Sequence, residues 1–201
     1  MVNSVPSAID LSSFAGLTAM VLLTINLLLG LLVTTNYNPR QHWPHRNIPV
    51  FKIHNWNAYL AIAAVCLHPV ILLFSKTAGF HVGDVLWPLH SPGQRLYNCL
   101  GAAAFYLIAL VVATSYLRPR LGSRPWKKLH YLAYLAAALL FVHGTLVDPN
   151  LKNRPTDFLD GEKVLVEACF ALLAAASVWR WRYGKERQRH HAAKAREEKA
   201  A

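Results

Sequence analysis

Four histidines lie in two apolar segments, and their spacing suggests iron chemistry inside a membrane. His68 follows His54 by fourteen positions in the first segment, and His143 follows His130 by thirteen positions in the second. Ionisable side chains are costly within a bilayer, so each one found there is a functional hypothesis. A neutral imidazole ligates iron through one ring nitrogen, and a b-type haem takes one ligand on each face. The two matched pairs therefore predict two haems stacked across a membrane, with each iron held between two imidazoles.

The segments that carry these histidines must then be helices that cross the bilayer. A helix needs roughly 20 apolar residues to span a hydrocarbon core of ~30 Å, and only helices satisfy their own backbone in lipid without closing a barrel. Five stretches reach or approach that length, at 14–35, 54–75, 97–117, 128–147 and 163–182. We therefore predict an all-α membrane protein, a five-helix transmembrane bundle with the two haems between helices 2 and 4.

Helical geometry separates the two histidine levels by ~20 Å along the bundle axis, which leaves room for two haems. At ~100° per residue, the longer spacing brings a side chain back to within about 40° of its starting direction, whereas the shorter one leaves it about 140° away. We therefore expect either a local distortion of the fourth span or two haems rotated relative to each other. Pro69 removes a backbone donor directly after His68, so a kink is expected there.

The composition excludes an ordinary soluble domain. The 201 residues are 54% hydrophobic and 15% charged, with a mean hydropathy of +0.25. The formal net charge of +11 is unevenly distributed, because no Lys or Arg precedes Arg40. This pattern indicates membrane topology and not nucleic-acid binding. The three cysteines, Cys66, Cys99 and Cys169, lie in apolar stretches without a CxxCH motif, so we expect buried thiols and no covalently attached haem.

The distribution of Lys and Arg predicts the orientation of the bundle. The tail and the two connections on its side carry 16 of these residues, and the opposite side carries 5. We therefore expect a multi-pass protein of the bacterial inner membrane, with the N-terminus outside and the C-terminus in the cytoplasm. The chain divides into a transmembrane haem domain at 1–182 and a basic cytoplasmic tail at 183–201.

The histidine spacings and the basic-aromatic run RPWKKLH at 124–130 resemble the ferric-reductase-like transmembrane domain. This is the haem core shared by NADPH oxidases, ferric reductases and STEAP-type metalloreductases, and the resemblance runs from about the first span to the fifth. It implies that His54 and His130 ligate the iron of the inner haem, and that His68 and His143 ligate the iron of the outer haem.

Two comparisons within this resemblance refine the expectation. Family members usually continue into a cytoplasmic module that binds flavin and nicotinamide, but no GxGxxG follows the fifth span here. The resemblance thus implies a stand-alone form that receives flavin electrons only through a partner. The chain also looks related to the bacterial haem-binding subunit that feeds a periplasmic methionine-sulfoxide reductase. That subunit usually lacks the counterpart of His54, so four histidines favour the two-haem branch.

Haem propionates are anionic and need cations at the membrane surface. Near the outer haem the best candidate is Arg95, for which an ordinary interfacial position is an equal alternative. Near the inner haem the candidates are Arg46, Lys52, Arg124, Lys127 and Lys128.

These observations predict a di-haem b-type cytochrome, an oxidoreductase component that passes electrons across the membrane. The donor would be an inner-side flavoprotein or reductase, and the acceptor would lie on the outer side. An alternative is a quinone-linked cytochrome b subunit of a respiratory or periplasmic redox complex. A haem-free scaffold subunit is a third possibility, against which the four matched histidines argue.

Overall fold

The computed structural model describes residues 6–35, 49–148 and 155–200, and all regular structure within them is helical. Five helical segments are long and apolar enough to cross a membrane: Ala8–Thr34, Val50–Leu72, Arg95–Tyr116, Ser123–Leu146 and Gly161–His190. The predicted all-α fold and the multi-pass membrane character are thereby confirmed.

Eight helices are present in the described residues, together with a 3₁₀ turn at Pro88–His90. They are α1 (Ala8–Thr34), α2 (Val50–Leu72), α3 (Val82–Leu86), α4 (Arg95–Tyr116), α5 (Arg118–Leu121), α6 (Ser123–His130), α7 (Leu132–Leu146) and α8 (Gly161–Ala200). The first transmembrane helix begins earlier than the predicted residue 14, because a polar capping box starts it. Asp10 donates its backbone N–H to Ser7 Oγ, and the Ser7 N–H donates to the Asp10 carboxylate.

The bundle is built on two helix pairs, in which α1 packs along α2 and α4 packs along α7, while α8 lies against α1 and α7. Fully buried alanines, Ala61, Ala104 and Ala136, allow the helices to approach closely. A polar contact joins the first pair, since the Asn57 amide donates to the Leu22 carbonyl at 2.7 Å and to Asn26 Oδ1 at 3.3 Å.

The fourth span is interrupted at Tyr131, directly after His130, so that α6 and α7 are separate helices. The Tyr134 N–H donates to the Tyr131 carbonyl, three residues back. Such a bond winds the chain more tightly than an α-helix does. It therefore rotates His143 in the direction needed to face the same seam as His130, which confirms the expected distortion. Pro69 lies inside α2, which continues through it to Leu72.

The connection 73–94 is folded against one end of the bundle. The Tyr106 hydroxyl donates to the Leu86 carbonyl, and the Asn98 amide donates to the Gly93 carbonyl. Gln94 exchanges two hydrogen bonds with the backbone of Asp148, just beyond α7. These bonds hold the connection over the ends of α4 and α7, at the level of His68 and His143.

The expectation of three buried thiols was wrong for Cys66. Cys169 is buried and Cys99 is half-buried, whereas Cys66 is exposed on α2, and none of the three forms a disulfide. An apolar segment of a membrane helix faces lipid as readily as protein, so hydrophobic surroundings in the sequence do not imply burial inside the bundle.

At the other end of the chain, α8 runs without interruption from Gly161 to Ala200, so the predicted boundary at residue 182 falls within a helix. The Lys185 ammonium lies 3.8 Å from the centre of the Trp181 ring, one turn earlier. The division of the chain at that boundary therefore stays a prediction.

The polar contact between α1 and α2 generates a stability prediction. We expect Asn57→Ala to lower the free energy of unfolding by about 1 kcal/mol, because the substitution removes hydrogen bonds between membrane helices. Thermal unfolding in detergent measures the effect. Asn55→Ala is the matched control, since Asn55 is exposed on the same helix. Equal melting temperatures for the two variants would contradict the prediction.

Candidate functional site

The structure brings the four histidines together in two pairs. The rings of His54 on α2 and His130 on α6 have centres 6.3 Å apart, and the rings of His68 on α2 and His143 on α7 also have centres 6.3 Å apart. A metal–imidazole bond of about 2.0–2.1 Å, with the nitrogen roughly 1.1 Å from its ring centre, places two rings around one metal with centres about 6 Å apart. Each pair therefore fits a single metal between its two imidazoles.

Within the described ranges, no three His, Cys, Asp or Glu side chains cluster as ligands of a metal ion. The histidines therefore offer ligands two at a time. Two opposed imidazoles suit an iron whose equatorial positions are filled by a macrocycle, and they do not suit a tetrahedral ion, which needs four ligands. The chemistry of the donor set thus fits haem.

The tautomer of three of these histidines is fixed by backbone carbonyls of a neighbouring helix. Nδ1 of His54 lies 3.0 Å from the Asn26 carbonyl, and Nδ1 of His68 lies 2.7 Å from the Ser12 carbonyl. Nδ1 of His143 lies 2.8 Å from the carbonyl of Tyr97. A carbonyl can only accept, so Nδ1 must carry the proton and donate it. In a neutral ring, Nε2 then keeps its lone pair for a metal.

A glycine stands four residues after each of these carbonyls. Gly16 follows Ser12, Gly30 follows Asn26, and Gly101 follows Tyr97 in this register. The Cβ of a helical residue leans back toward the preceding turn, so a glycine leaves the carbonyl there uncovered. A Cβ added at Gly101 would lie 2.9 Å from His143 Cε1, and one added at Gly16 would lie 2.9 Å from His68 Nδ1. These two glycines are therefore part of the imidazole sites.

The sequence analysis missed this support, although a signal for it exists. Gly30 follows Gly16 on α1 by fourteen positions, the same spacing as that of His54 and His68 on the antiparallel α2. Matched periods on two neighbouring helices predict facing positions, here a glycine opposite each histidine. The carbonyl acceptors themselves leave no signal, because every residue carries one.

His130 is held differently from the other three histidines. Ser115, which follows Gly101 on α4 at the spacing that separates Gly30 from Gly16, places its Oγ 3.5 Å from His130 Nδ1. The Trp126 indole N–H donates to the same Oγ at 3.3 Å, and its ring centre lies 5.0 Å from that of His130. A guanidinium completes this cluster, because that of Arg118 lies over the Trp126 ring at 4.3 Å from its centre.

A mainly apolar cavity of about 330 Å³ adjoins the His68–His143 pair. Its walls come from α1, α2, α4, α7, α8 and the connection 73–94, and they include Gly16, Gly101 and Lys163. The volume, the apolar walls and the two imidazoles are suited to part of a flat macrocycle.

Lys163 is a cation whose place the sequence analysis did not foresee. It was counted there as a loop residue, but its side chain is only 4% exposed and lines the cavity beside His143. Its ammonium donates to the Gly144 carbonyl at 2.9 Å and to the Val147 carbonyl. These are free carbonyls at the C-terminus of α7, where a positive charge is favourable.

The cations predicted to bind propionates lie on the surface of the bundle. Arg95 is exposed at the start of α4 and does not line the cavity. Arg124, Lys127 and Lys128 are exposed on α6, within two turns of His130, and Lys52 is exposed in the first turn of α2. Arg46 lies outside the described residues. The assignment of these side chains to haem propionates stays a prediction.

The close approach of Gly101 to His143 generates a second prediction. We expect Gly101→Ala to displace the His143 ring and to reduce the haem bound per chain, because the new Cβ would overlap the ring. Gly30→Ala is the matched control, since its Cβ would meet His54 at an ordinary 3.5 Å. The measurement is the haem absorbance per chain of each purified variant. Equal haem loss in both, or in neither, would contradict the prediction.

A family model described as ferric reductase like transmembrane component matches residues 15–141, which is more than half of the chain. The match includes His54, His68 and His130 and ends two residues before His143. No curated protein and no solved structure matches the chain. Domains of this family generally bind haem, and membership indicates transmembrane electron transfer. The chain therefore belongs to the family of ferric reductase like transmembrane components.

Proposed function

We propose that this protein is a di-haem b-type cytochrome that carries electrons across the membrane. His54 and His130 would hold the iron of an inner haem, and His68 and His143 the iron of an outer haem. The observation that carries the proposal is the equal 6.3 Å separation of the ring centres in both pairs. An iron between two imidazoles has no open coordination position and exchanges single electrons with a neighbouring centre.

The chain's own work is to aim and support the imidazoles. Hydrogen bonds from Nδ1 fix the ring orientation and make Nε2 a stronger donor to the metal. Ser12 holds His68 a second time, because its hydroxyl, on a side chain only 2% exposed, donates to the His68 backbone carbonyl at 2.8 Å. This second bond lies next to Pro69, where the helix lacks a backbone donor.

The charge distribution supports electron entry at the His54–His130 end. The exposed α6 carries Arg124, Lys127 and Lys128, and the basic end of α8 follows Arg182. In the orientation that we propose, with the N-terminus outside and the C-terminus in the cytoplasm of a bacterium, this face is cytoplasmic. A flavoprotein or reductase with an acidic surface would dock there, so that flavin acts only through a partner. The outer-side acceptor is a second partner.

The count of haems tests the proposal. We expect two b-type haems per chain in the purified protein, and about one in His54→Ala and in His68→Ala, because each variant removes one ligand of one pair. The pyridine haemochrome spectrum of protein in detergent gives this count. His90→Ala is the control, since His90 is exposed in the 3₁₀ turn.

The possible counts separate the competing functions. One haem that is lost only in His68→Ala would contradict the two-haem form. A wild-type protein without haem would overturn electron transfer and favour a scaffold subunit. Reduction of the bound haem by a quinol, and not by a flavoprotein, would favour the quinone-linked alternative.

Lys163 generates a further prediction about the outer haem. A buried positive charge beside the His68–His143 pair favours the reduced state, because added negative charge is then partly neutralised. We expect Lys163→Met to lower the midpoint potential of the outer haem in a potentiometric titration, while the potential of the inner haem stays unchanged. Lys185→Met is the control, because Lys185 is exposed near the other end of the bundle. An unchanged outer potential would contradict this role.

A further inference from the structure

One of the four imidazole supports departs from a pattern that the other three share. The helices α1 and α4 each present two positions to their partner helices at the same fourteen-position spacing, and three of these positions are glycines, Gly16, Gly30 and Gly101. Ser115 occupies the fourth. Its partner His130 is therefore the only one of the four histidines whose support position carries a side chain.

The serine side chain covers the carbonyl that a glycine would leave free. The Ser115 hydroxyl donates to the Val111 carbonyl at 2.7 Å, four residues back. The Thr114 hydroxyl approaches the same oxygen at 3.1 Å, although it lies closer to the Leu110 carbonyl at 2.8 Å. Val111 stands where the acceptors of the other three histidines stand, but its oxygen is already occupied.

His130 is left with a weaker acceptor than its three counterparts. Its Nδ1 lies 3.5 Å from Ser115 Oγ, whereas the other three Nδ1 atoms lie 2.7–3.0 Å from carbonyl oxygens. The same Oγ also accepts the Trp126 indole N–H. A hydrogen bond as long as that of His130 is at the limit of favourable geometry, so this imidazole receives the least support from the protein.

The strength of this bond controls how well the imidazole donates to iron. A proton on Nδ1 that is strongly bound by a carbonyl shifts electron density to Nε2, which favours the more highly charged ferric state. A weaker bond leaves Nε2 a poorer donor and favours the ferrous state. The side chain at position 115 thus acts on the metal through His130 without touching it.

We propose that Ser115 is a positioning residue that raises the reduction potential of the His54–His130 haem, so that the site accepts electrons more readily than one supported by a carbonyl. This inference rests on the proposed di-haem function. It assigns to the inner site an adjustment that the outer site lacks, since His68 and His143 both donate to carbonyls.

Two substitutions at this position test the inference, because we expect them to act in opposite directions. Ser115→Gly uncovers the Val111 carbonyl, so the His130 ring moves onto it and the midpoint potential of the inner haem falls. Ser115→Ala keeps the Cβ over that carbonyl and removes the hydroxyl, so Nδ1 loses its acceptor and the potential rises. A general disturbance of packing would not give opposite signs.

The measurement is a potentiometric titration of both haems, together with the low-spin ferric electron paramagnetic resonance signal of each. We expect the outer haem to keep its potential and its signal in both variants. Thr24→Gly and Thr24→Ala are the matched controls. Thr24 is a buried α1 residue whose hydroxyl donates to the carbonyl four residues back at 2.8 Å, as the Ser115 hydroxyl does, but within the described part of the chain it bonds to no histidine.

The outcomes distinguish this inference from the proposed function. Two haems in the wild type, with inner-haem shifts of opposite sign in the two variants, support the inference. Two haems with shifts of the same sign, or with none, overturn it and leave the proposed function standing. If Ser115→Gly does not fold, Ser115→Ala alone decides, because an unchanged or lowered inner potential overturns the inference. A wild-type protein without haem overturns both.

Discussion

The hydrogen bond from a histidine on one helix to a backbone carbonyl of the next helix is the interaction on which the rest of this structure depends. An imidazole that is to bind a metal through Nε2 must keep its proton on Nδ1, and a carbonyl is the acceptor that ensures this. The carbonyls of Ser12, Asn26 and Tyr97 do so for three of the four rings. Helix packing must therefore be tight wherever a histidine stands.

This requirement explains why helices without ligands are as much a part of the site as those with them. Helix α1 contributes no histidine, yet it holds both histidines of α2, and α4 stands in the same relation to α6 and α7. The small residues of the two supporting helices, Gly16 and Gly101 above all, allow the close approach. In lipid, where no hydrophobic force drives helices together, close packing and polar contacts such as that between Asn57 and Asn26 must hold them.

The two ends of the bundle solve the same problem with different surroundings. At one end, the His68–His143 pair lies beside an apolar cavity, a buried lysine and the folded connection 73–94. At the other, the His54–His130 pair is backed by Ser115, Trp126 and Arg118, next to exposed basic residues. Equal ring separations with unequal surroundings are what a two-site electron carrier requires, because the ligands fix the metal and the surroundings adjust its potential.

The sequence by itself determined the all-helical membrane fold, the five spans, the family and the pairing of the histidines. It could do so because apolar length, helical spacing and the cost of an ionisable group in lipid are local properties. It even indicated the break near His130, since the spacing from His130 to His143 does not complete whole helical turns. Only the tertiary structure decided that Lys163 is buried, that Cys66 is exposed, and that Ser115 stands where the other supports have glycine. Those facts depend on which face of one helix meets another, and backbone carbonyls, which every residue carries, leave no trace of that choice in the sequence.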